Sequence, residues 1–513
     1  MFSYRRYGCV VLAVSFALCL PASLVAADRP VPVAYDLAVT ISPVPGSIAV
    51  RGKIEVPLES LHAREIQFAL HETFAIKQLL VNGQRASFSF KPAEPSPIYP
   101  ATRNVLVSLP FDIQQREIQI DLEYGGHLKD IPEFGTFPGQ KLALDDQINP
   151  RLVELANYSS WYPQFFMFGR AIEIKLEVSL PQGWIAVCSG KKLQDRVESG
   201  RSITRWFSPK DTDILITASP NYKQRSAHLS DVTIEIYHTH MPEEFIEKEV
   251  HQIAEVMQLF TDRLGGTTIP AGTVKHVYSP KRKGQGRAGI ARPGMIVSSE
   301  GLAREALASN PNFSLFQDVA HEIAHFWWNF GAGQGDWINE AFAEYFSAFA
   351  VEKVSSEEQF RTVLENYRKQ VQELPANAPS LSAVPFDGSF FVIRYYKSSL
   401  LLDYMRHVLG DDSFFRASRD FFRTYSGKSI GTAEFRVYWK QRLGDQKDSL
   451  DVWLDSAGGL PELEQKWVIG HAKLAKGNFA FTAHDVICPY SFVGFRGKTR
   501  VIPTHGNFQI GLE

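Results

Sequence analysis

The residues best suited to chemistry form the segment His321-Glu322-Ile323-Ala324-His325. On an α-helix, positions i and i+4 lie on one face, so both imidazoles point the same way. Two neutral imidazoles in this arrangement are good ligands for a divalent metal ion, and zinc suits them best. Glu322 lies about 100° around the helix axis from His321. Its carboxylate would therefore stand beside such an ion, where it can accept a proton from water.

The pattern His-Glu-x-x-His is not specific by itself, since it also occurs by chance on surface helices. The alternative interpretation is a pair of ordinary core histidines whose hydrogen bonds are satisfied. Here the other faces of the segment are apolar, with Val319, Ile323, Phe326 and Trp327. The two histidines and the glutamate would then be buried. Burying them without partners is costly, so the pattern favours a metal site.

A catalytic zinc site needs a third protein ligand and one position open to water. The next predicted helix offers two carboxylates, Glu340 and Glu344, within the segment 337–345. They are one turn apart on one face, so both can point at the first helix. Spacing alone leaves either of them as the third ligand.

The elements that would carry these residues follow a β-rich region. Residues 28–229 show alternation of apolar and polar residues, as at Leu37, Val39 and Ile41. Such alternation is typical of half-buried strands, and Pro and Gly separate the runs. We predict an N-terminal all-β domain over residues 28–229, either a sandwich or a saddle-shaped sheet.

Residues 230–457 predict a mostly helical α+β catalytic domain. A strand at 232–237 precedes a long helix that Gly265-Gly266 would end. Further strands are predicted at 274–278 and 294–298, and helices at 313–330, 337–352, 356–373, 393–409 and 411–425. Residues 458–513 read as a short β-rich C-terminal segment.

Composition is that of a soluble globular protein, with 44% hydrophobic and 21% charged residues. The formal net charge of −2 indicates no nucleic-acid partner. Residues 1–27 predict a cleavable signal peptide, since Arg5 and Arg6 precede an apolar run and small residues. No other run is long enough to span a membrane, so the mature chain is expected to be secreted or periplasmic. After cleavage, Cys188 and Cys488 remain, as a pair or as two core thiols.

Two segments carry a more specific indication. HEIAHFWW at 321–328 and WINEAFAEY at 337–345 resemble the gluzincin zinc metallopeptidases, in particular the aminopeptidase N and leukotriene hydrolase family. That family has its glutamate ligand inside a W-L-N-E-G-F-A motif, whose wording matches Glu340. The family's usual spacing of eighteen residues after His325 would give Glu344 instead.

We follow the wording of the motif. The resemblance then implies one zinc ion on His321, His325 and Glu340, with Glu322 as the general base. Glu344 would accept a hydrogen bond from the far nitrogen of a zinc-bound histidine.

The resemblance also implies a catalytic tyrosine in a Y-E-K-G motif, for which this chain has Tyr395-Tyr396-Lys397-Ser398. The match falls on Tyr395, with Tyr396 as the near alternative and two core aromatic residues as the plain interpretation. A phenol at this place would donate a hydrogen bond to the oxyanion.

Family members bind the amino terminus of their substrate with carboxylates. One comes from a G-x-M-E-N strand, and in the corresponding segment of this chain Ala291 stands where that glutamate belongs. A second lies nine residues before a proline, the offset that Glu154 has from Pro163. Glu154 is therefore a candidate for binding substrate, with a solvated surface charge as the alternative.

The resemblance covers residues 28 to about 460 and implies a β domain followed by a thermolysin-like domain. It implies a shortened member without the helical C-terminal domain of typical relatives, and hence a more open site. We expect zinc-dependent hydrolysis of peptides by an aminopeptidase. The alternatives are an endopeptidase or other zinc hydrolase with the same site, and a non-catalytic peptide-binding protein on a peptidase scaffold. Side-chain preference and oligomeric state are not predicted.

Overall fold

The computed structural model describes residues 32–461, except for 59–63, 94–98, 100, 110–116, 129–133, 138–139, 143–145, 166–170, 230–231, 267–268, 270–271, 282–288, 310–315, 329–335, 386–389 and 427. The predicted signal peptide lies outside the described residues. So do Cys488 and all but the first four residues of the predicted segment 458–513. Cys188 is buried and forms no disulfide bond with any described residue.

The first part of the described chain is built from strands, as predicted. They are β1 (Val33–Ser42), β2 (Ser47–Pro57), β3 (Glu65–His71), β4 (Ala75–Val81), β5 (Gln84–Arg85), β6 (Ser87–Pro92), β7 (Thr102–Ser108), β8 (Glu117–His127), β9 (Phe134–Phe137), β10 (Gln140–Leu142), β11 (Gln147–Ile148), β12 (Val153–Leu155), β13 (Ile172–Pro181), β14 (Ile185–Cys188), β15 (Lys191–Glu198), β16 (Arg201–Asp211) and β17 (Ile216–Ser219).

Their side chains alternate between a core and a solvent face. In β1, Leu37, Val39 and Ile41 are buried while Asp36 and Thr40 are exposed. The pattern arises because successive residues of a strand point to opposite faces. The largest sheet has the order β15-β16-β13-β1-β2-β8-β4-β5, and a four-stranded sheet has the order β11-β12-β17-β14. The predicted all-β N-terminal domain is confirmed.

The second part combines one sheet with helices. Its strands are β18 (Lys223–Leu229), β19 (Val232–His238), β20 (Thr273–Ser279), β21 (Gly289–Arg292) and β22 (Met295–Ser299), in the order β18-β19-β20-β22-β21. Strands β19, β20 and β22 run parallel, and β21 is an antiparallel edge strand. Strands β18 and β19, on either side of the predicted domain boundary at 229/230, pair antiparallel in this sheet.

Helices pack against one face of this sheet and continue along the chain beyond it. They are α1 (Glu243–Leu264), α2 (Glu300–Ser309), α3 (Phe316–Ala324), α4 (Asp336–Val354), α5 (Glu357–Gln372), a π-helical stretch (Val392–Lys397), α6 (Ser398–Leu409), α7 (Asp411–Tyr425), α8 (Thr432–Leu443) and α9 (Lys447–Asp455). No helix among the described residues is both long and apolar enough to cross a bilayer.

Helix ends follow local sequence signals where these exist. Gly265 ends α1 with a positive φ of 84°, and its N–H bonds to the carbonyl of Thr261. The Ser356 hydroxyl caps α5 by accepting from the N–H of Gln359 at 3.1 Å. The helix predicted at 313–330 is shorter, because beyond Ala324 the N–H groups of the next residues reach back in tight turns.

Helix α4 is buried on nearly every side. A helix that is apolar all round belongs to the interior of a domain. It packs against α3. Just beyond the end of α3, the Trp328 ring stacks on the Phe342 ring with 4.0 Å between their centroids. This packing fixes the relative positions of α3 and α4, the two helices next to the predicted metal ligands.

Candidate metal centre

Each histidine of the predicted pair has its Nδ1 atom engaged, which leaves its Nε2 atom for a metal. His321 Nδ1 lies 2.8 Å from Glu344 Oε2, and His325 Nδ1 lies 3.1 Å from the carbonyl oxygen of Trp328. Both partners are acceptors, so each Nδ1 carries the proton. The two Nε2 atoms, which then offer lone pairs, are 3.2 Å apart.

Glu340 completes a three-atom set. Its Oε2 lies 3.4 Å from His321 Nε2 and 3.6 Å from His325 Nε2. This oxygen is buried and accepts no hydrogen bond from the described residues. Zinc bonds of about 2.0–2.2 Å in a tetrahedron set ligand atoms about 3.3–3.5 Å apart, which agrees with these separations. The residues present fit a zinc ion.

The two candidate carboxylates of α4 occupy different places. His321, His325 and Glu340 each offer one ligand atom, and these three atoms lie within 4.8 Å of one another. Glu344, one turn further along α4, contacts the opposite edge of the His321 ring. The arrangement matches the ligand assignment taken from the motif wording rather than from the residue count.

The charges of the site act on the ligands themselves. Burial lowers the pKa of His321, but the carboxylates of Glu340 and Glu344 outweigh it, so the pKa lies well above its usual value. Burial raises the pKa of Glu340, and the nearby His325 and His321 more than offset this, leaving it below its usual value. The site therefore attracts positive charge.

Glu322 is on α3 with 6% of its surface exposed. Edge strand β21 lies directly over it: a Cβ at position 289 would collide with the Glu322 carboxylate. A side chain at this position would therefore force the Glu322 carboxylate to shift. Sequence reasoning did not single out Gly289, because a lone Gly before an apolar strand has many explanations.

Tyr395 and Tyr396 point in different directions from the π-helical stretch. The Tyr395 ring stacks at 5.7 Å on the His321 ring, whereas Tyr396 is buried and stacks at 4.4 Å on Tyr367. Burial and then the charge of Glu340 raise the pKa of Tyr395 well above its usual value. Its hydroxyl therefore stays protonated and can donate a hydrogen bond. Nothing in the sequence predicted the π-helical turn, a feature often found at functional sites.

Two contacts hold the tyrosine segment in place. Arg394 forms a buried ion pair with Asp336, the first residue of the helix that carries Glu340. The buried Lys397 ammonium donates to the carbonyls of Ser456 and Gly458 at 2.7 and 2.9 Å. The chain thus ties Tyr395 to the metal-binding helix and to the end of α9.

The predicted substrate residue Glu154 is buried, not a surface charge, with 1% of its surface exposed. Its carboxylate lies 2.7 Å from the Lys281 ammonium and also accepts from the Ser279 hydroxyl. Lys281 thus already provides the positive charge that a substrate ammonium would bring. The reason sequence reasoning missed this pair is that the two residues are far apart in the chain.

The segment around Ala291 shows a similar pairing. Ala291 is buried in the core of the helical region. The neighbouring Arg292 reaches the β domain, with its Nε 3.0 Å from Asp213 Oδ2. Strand β21 therefore carries the cation Arg292, whose charge Asp213 neutralises, and has no carboxylate at position 291.

The fold and the site together define the class. Two histidines and a glutamate on adjacent helices form a ligand set that catalytic zinc sites of hydrolases use. Residues 294–453 match the Peptidase family M1 domain. This match lies within the helical region that carries the candidate metal centre, and it confirms the predicted resemblance to that family and the predicted enzyme class, a zinc metallopeptidase.

Solved structures agree on the fold. An M1 zinc metallopeptidase from Deinococcus radiodurans aligns with 18% identity and a TM-score of 0.66, covering 84% of this chain and 95% of that one. A mutant of that enzyme, bound to a Tyr-Ser-Ala substrate, gives the same values. A two-domain M1 zinc metallopeptidase mutant bound to L-tryptophan aligns with 18% identity, a TM-score of 0.65 and the same coverage. At this identity the likeness shows a shared fold.

Proposed function

We propose that this chain hydrolyses peptide bonds with a zinc ion held by His321, His325 and Glu340. The observation that carries the proposal is the convergence of three ligand atoms at 3.2–3.6 Å. When bound, zinc supplies a Lewis acid that polarises a carbonyl and lowers the pKa of water.

The chain's own residues supply the proton transfers. Glu322, buried beside the ligands, accepts a proton from the attacking water as the new C–O bond forms. It then returns that proton to the nitrogen of the leaving amine as the C–N bond breaks. The Tyr395 hydroxyl donates a hydrogen bond to the oxygen on which negative charge develops.

Removal of amino-terminal residues is the finer activity that we propose. Its basis is the family resemblance alone. Glu154 adds no support, since its charge is already neutralised by Lys281. That same pairing favours a second candidate, cleavage of internal bonds. An endopeptidase needs no carboxylate to bind the free ammonium of a substrate. Asp213 is not available for that purpose either, because it pairs with Arg292 of strand β21.

A matched pair of peptides tests both candidates. One sequence is prepared with a free amino terminus and with an acetylated one, and products are identified by mass spectrometry. An aminopeptidase releases single residues from the free peptide faster than it cleaves the acetylated one. Equal rates with internal cuts would establish the second candidate. Glu322→Gln protein from the same preparation controls for contaminating peptidases.

We also propose export to the periplasm or the medium, on the basis of the signal-like segment 1–27. Cell fractionation and amino-terminal sequencing of the mature protein test this. A chain that retains Met1 in the cytoplasm would contradict it.

A further inference from the structure

Tyr367 lies behind the metal site, on a helix that carries no ligand. It is on α5 with 3% of its surface exposed, and its hydroxyl donates to Glu344 Oε1. The other oxygen of Glu344 accepts from His321 Nδ1. A single carboxylate thus joins the Tyr367 hydroxyl to the imidazole whose Nε2 atom faces Glu340.

The direction of this hydrogen-bond chain is fixed at its far end. Gln317 Nε2 lies 2.6 Å from the Tyr367 hydroxyl oxygen. An amide nitrogen only donates, so the hydroxyl accepts from Gln317 and gives its own proton to Glu344. Gln317 and His321 are one turn apart on α3, so the chain of contacts leaves α3 and returns to it.

The ring of Tyr367 is held as well. It stacks on the buried ring of Tyr396 at 4.4 Å, with the two planes 10° apart. The phenol therefore has little freedom to turn away from Glu344. A carboxylate held at both oxygens keeps one orientation, and that orientation sets the plane of the His321 ring.

We propose that Tyr367 is a positioning residue for the metal ligand His321 and acts through Glu344. The proposal rests on the proposed zinc site. Without the Tyr367 hydroxyl, Glu344 can rotate, and His321 loses the partner that keeps its proton on Nδ1 and its lone pair on Nε2. Zinc affinity then falls although every ligand is still present.

The test measures zinc binding directly, by chelator competition on purified protein. Tyr367→Phe keeps the stacked ring and removes only the hydroxyl. We expect its zinc dissociation constant to rise roughly 3- to 30-fold, less than the roughly 10- to 100-fold loss that follows removal of a direct partner of a metal ligand. In cobalt(II)-loaded protein, the visible absorption bands should shift as the ligand geometry changes.

Tyr438→Phe is the matched control. It also removes a buried hydroxyl, one that donates to the Ala417 carbonyl at 2.7 Å in a region without ligands. A merely structural role for Tyr367 would lower stability as this control does and leave zinc affinity unchanged. Gln317→Ala, expected to weaken zinc binding in the same direction but less, provides the test if Tyr367→Phe does not fold.

A zinc dissociation constant for Tyr367→Phe within twofold of the Tyr438→Phe value would overturn the proposal. In the double variant with Glu344→Ala, the loss of the hydroxyl should add nothing, because its route to His321 is gone. Full additivity would also overturn it. These readouts need no peptide, so they remain decisive even if the proposed peptidase activity is not found.

Discussion

Two groups of buried carboxylates in this molecule differ in the side chains that face their negative charges. Beside the helices α3 and α4, Glu340 contacts His321 and His325, and Glu344 contacts His321. Towards the β domain, Glu154 pairs with Lys281 and Asp213 pairs with Arg292. The first group faces imidazoles, which are neutral in their metal-binding form. The second group faces side chains that carry a permanent charge.

The difference explains which site can take a cation from outside. Buried carboxylates without a matching positive charge are costly, and a divalent ion removes that cost. Carboxylates that already have an ammonium or guanidinium partner gain nothing from another cation. The carboxylates of the metal centre therefore need a bound metal ion to match their charge, whereas Lys281 and Arg292 already match the charges of Glu154 and Asp213.

Metal removal should produce the largest contrast. His325→Ala takes one of three ligand atoms from the centre, and we expect it to lose most of its zinc. Zinc at a hundredfold excess over its dissociation constant should stabilise the wild type by about 2.7 kcal/mol and this variant far less. Metal analysis and thermal unfolding with and without zinc check the prediction. Stoichiometric zinc in the variant would remove His325 from the site.

The next largest effect concerns rate alone. Glu322→Gln keeps the shape of the side chain beside the metal but cannot accept a proton. We expect turnover to fall by a factor on the order of 10²–10⁴, with zinc content unchanged. Peptide hydrolysis and metal analysis on the same sample separate the two quantities. Turnover near that of the wild type would mean that another group is the base.

The candidate ligands on α3 could be predicted from the sequence because the information that indicates them is local. Helical spacing puts His321 and His325 on one face, and the apolar residues around them predicted burial. The residues that orient this pair are less visible. Tyr367 has the spacing of a core residue on α5, beside Val363 and Leu364, and nothing local shows that its hydroxyl reaches Glu344. The role of Glu340 stays a prediction, which the arrangement of the three ligand atoms supports.

Long-range pairs explain what the sequence did not predict. Glu154 was interpreted through its offset from Pro163, but its environment depends on Lys281, more than a hundred residues later. Such a contact exists only once two domains have packed. Helices α2, α8 and α9 were also not predicted. They are short, and the pattern of α8 is weakly amphipathic, with exposed Val437 on its surface.

Breaking the β-domain pair should affect stability without affecting metal. Lys281→Met leaves the Glu154 charge buried without its cation, which should cost about 3–5 kcal/mol in the free energy of unfolding. The double change Lys281→Met with Glu154→Gln should recover much of that loss. Urea unfolding measures stability, and chelator competition should give an unchanged zinc affinity. Weakened zinc binding in the single variant would show that the two groups are not independent.

The stability contribution of Lys275, a buried cation that forms no ion pair with a carboxylate of the described residues, should depend on pH. Lys275 donates to the carbonyls of Cys188 and Gly190, and burial lowers its pKa to about 8. Between about pH 8 and the usual value near 10.5, the unfolded chain holds a proton that the folded chain has released. The free energy of unfolding attributable to this group should therefore rise with pH across that window, by roughly 3 kcal/mol. Urea unfolding from pH 7 to 10 should show this rise in wild type relative to Lys275→Met, and parallel curves would contradict it.

The smallest expected effect is that of Glu344→Ala, and comparison with Glu340→Ala separates the two carboxylates of α4. Glu340 Oε2 faces both Nε2 atoms, whereas Glu344 touches His321 only at Nδ1. Glu340→Ala removes a ligand atom and should abolish tight zinc binding. Glu344→Ala removes only the support of a ligand, so the zinc dissociation constant should rise about 10- to 100-fold. Glu344→Gln keeps an acceptor for the His321 proton and should lie between Glu344→Ala and the wild type. If Glu344→Ala lost zinc completely while Glu340→Ala kept it, the eighteen-residue spacing would identify the ligand, and the two carboxylates would exchange roles.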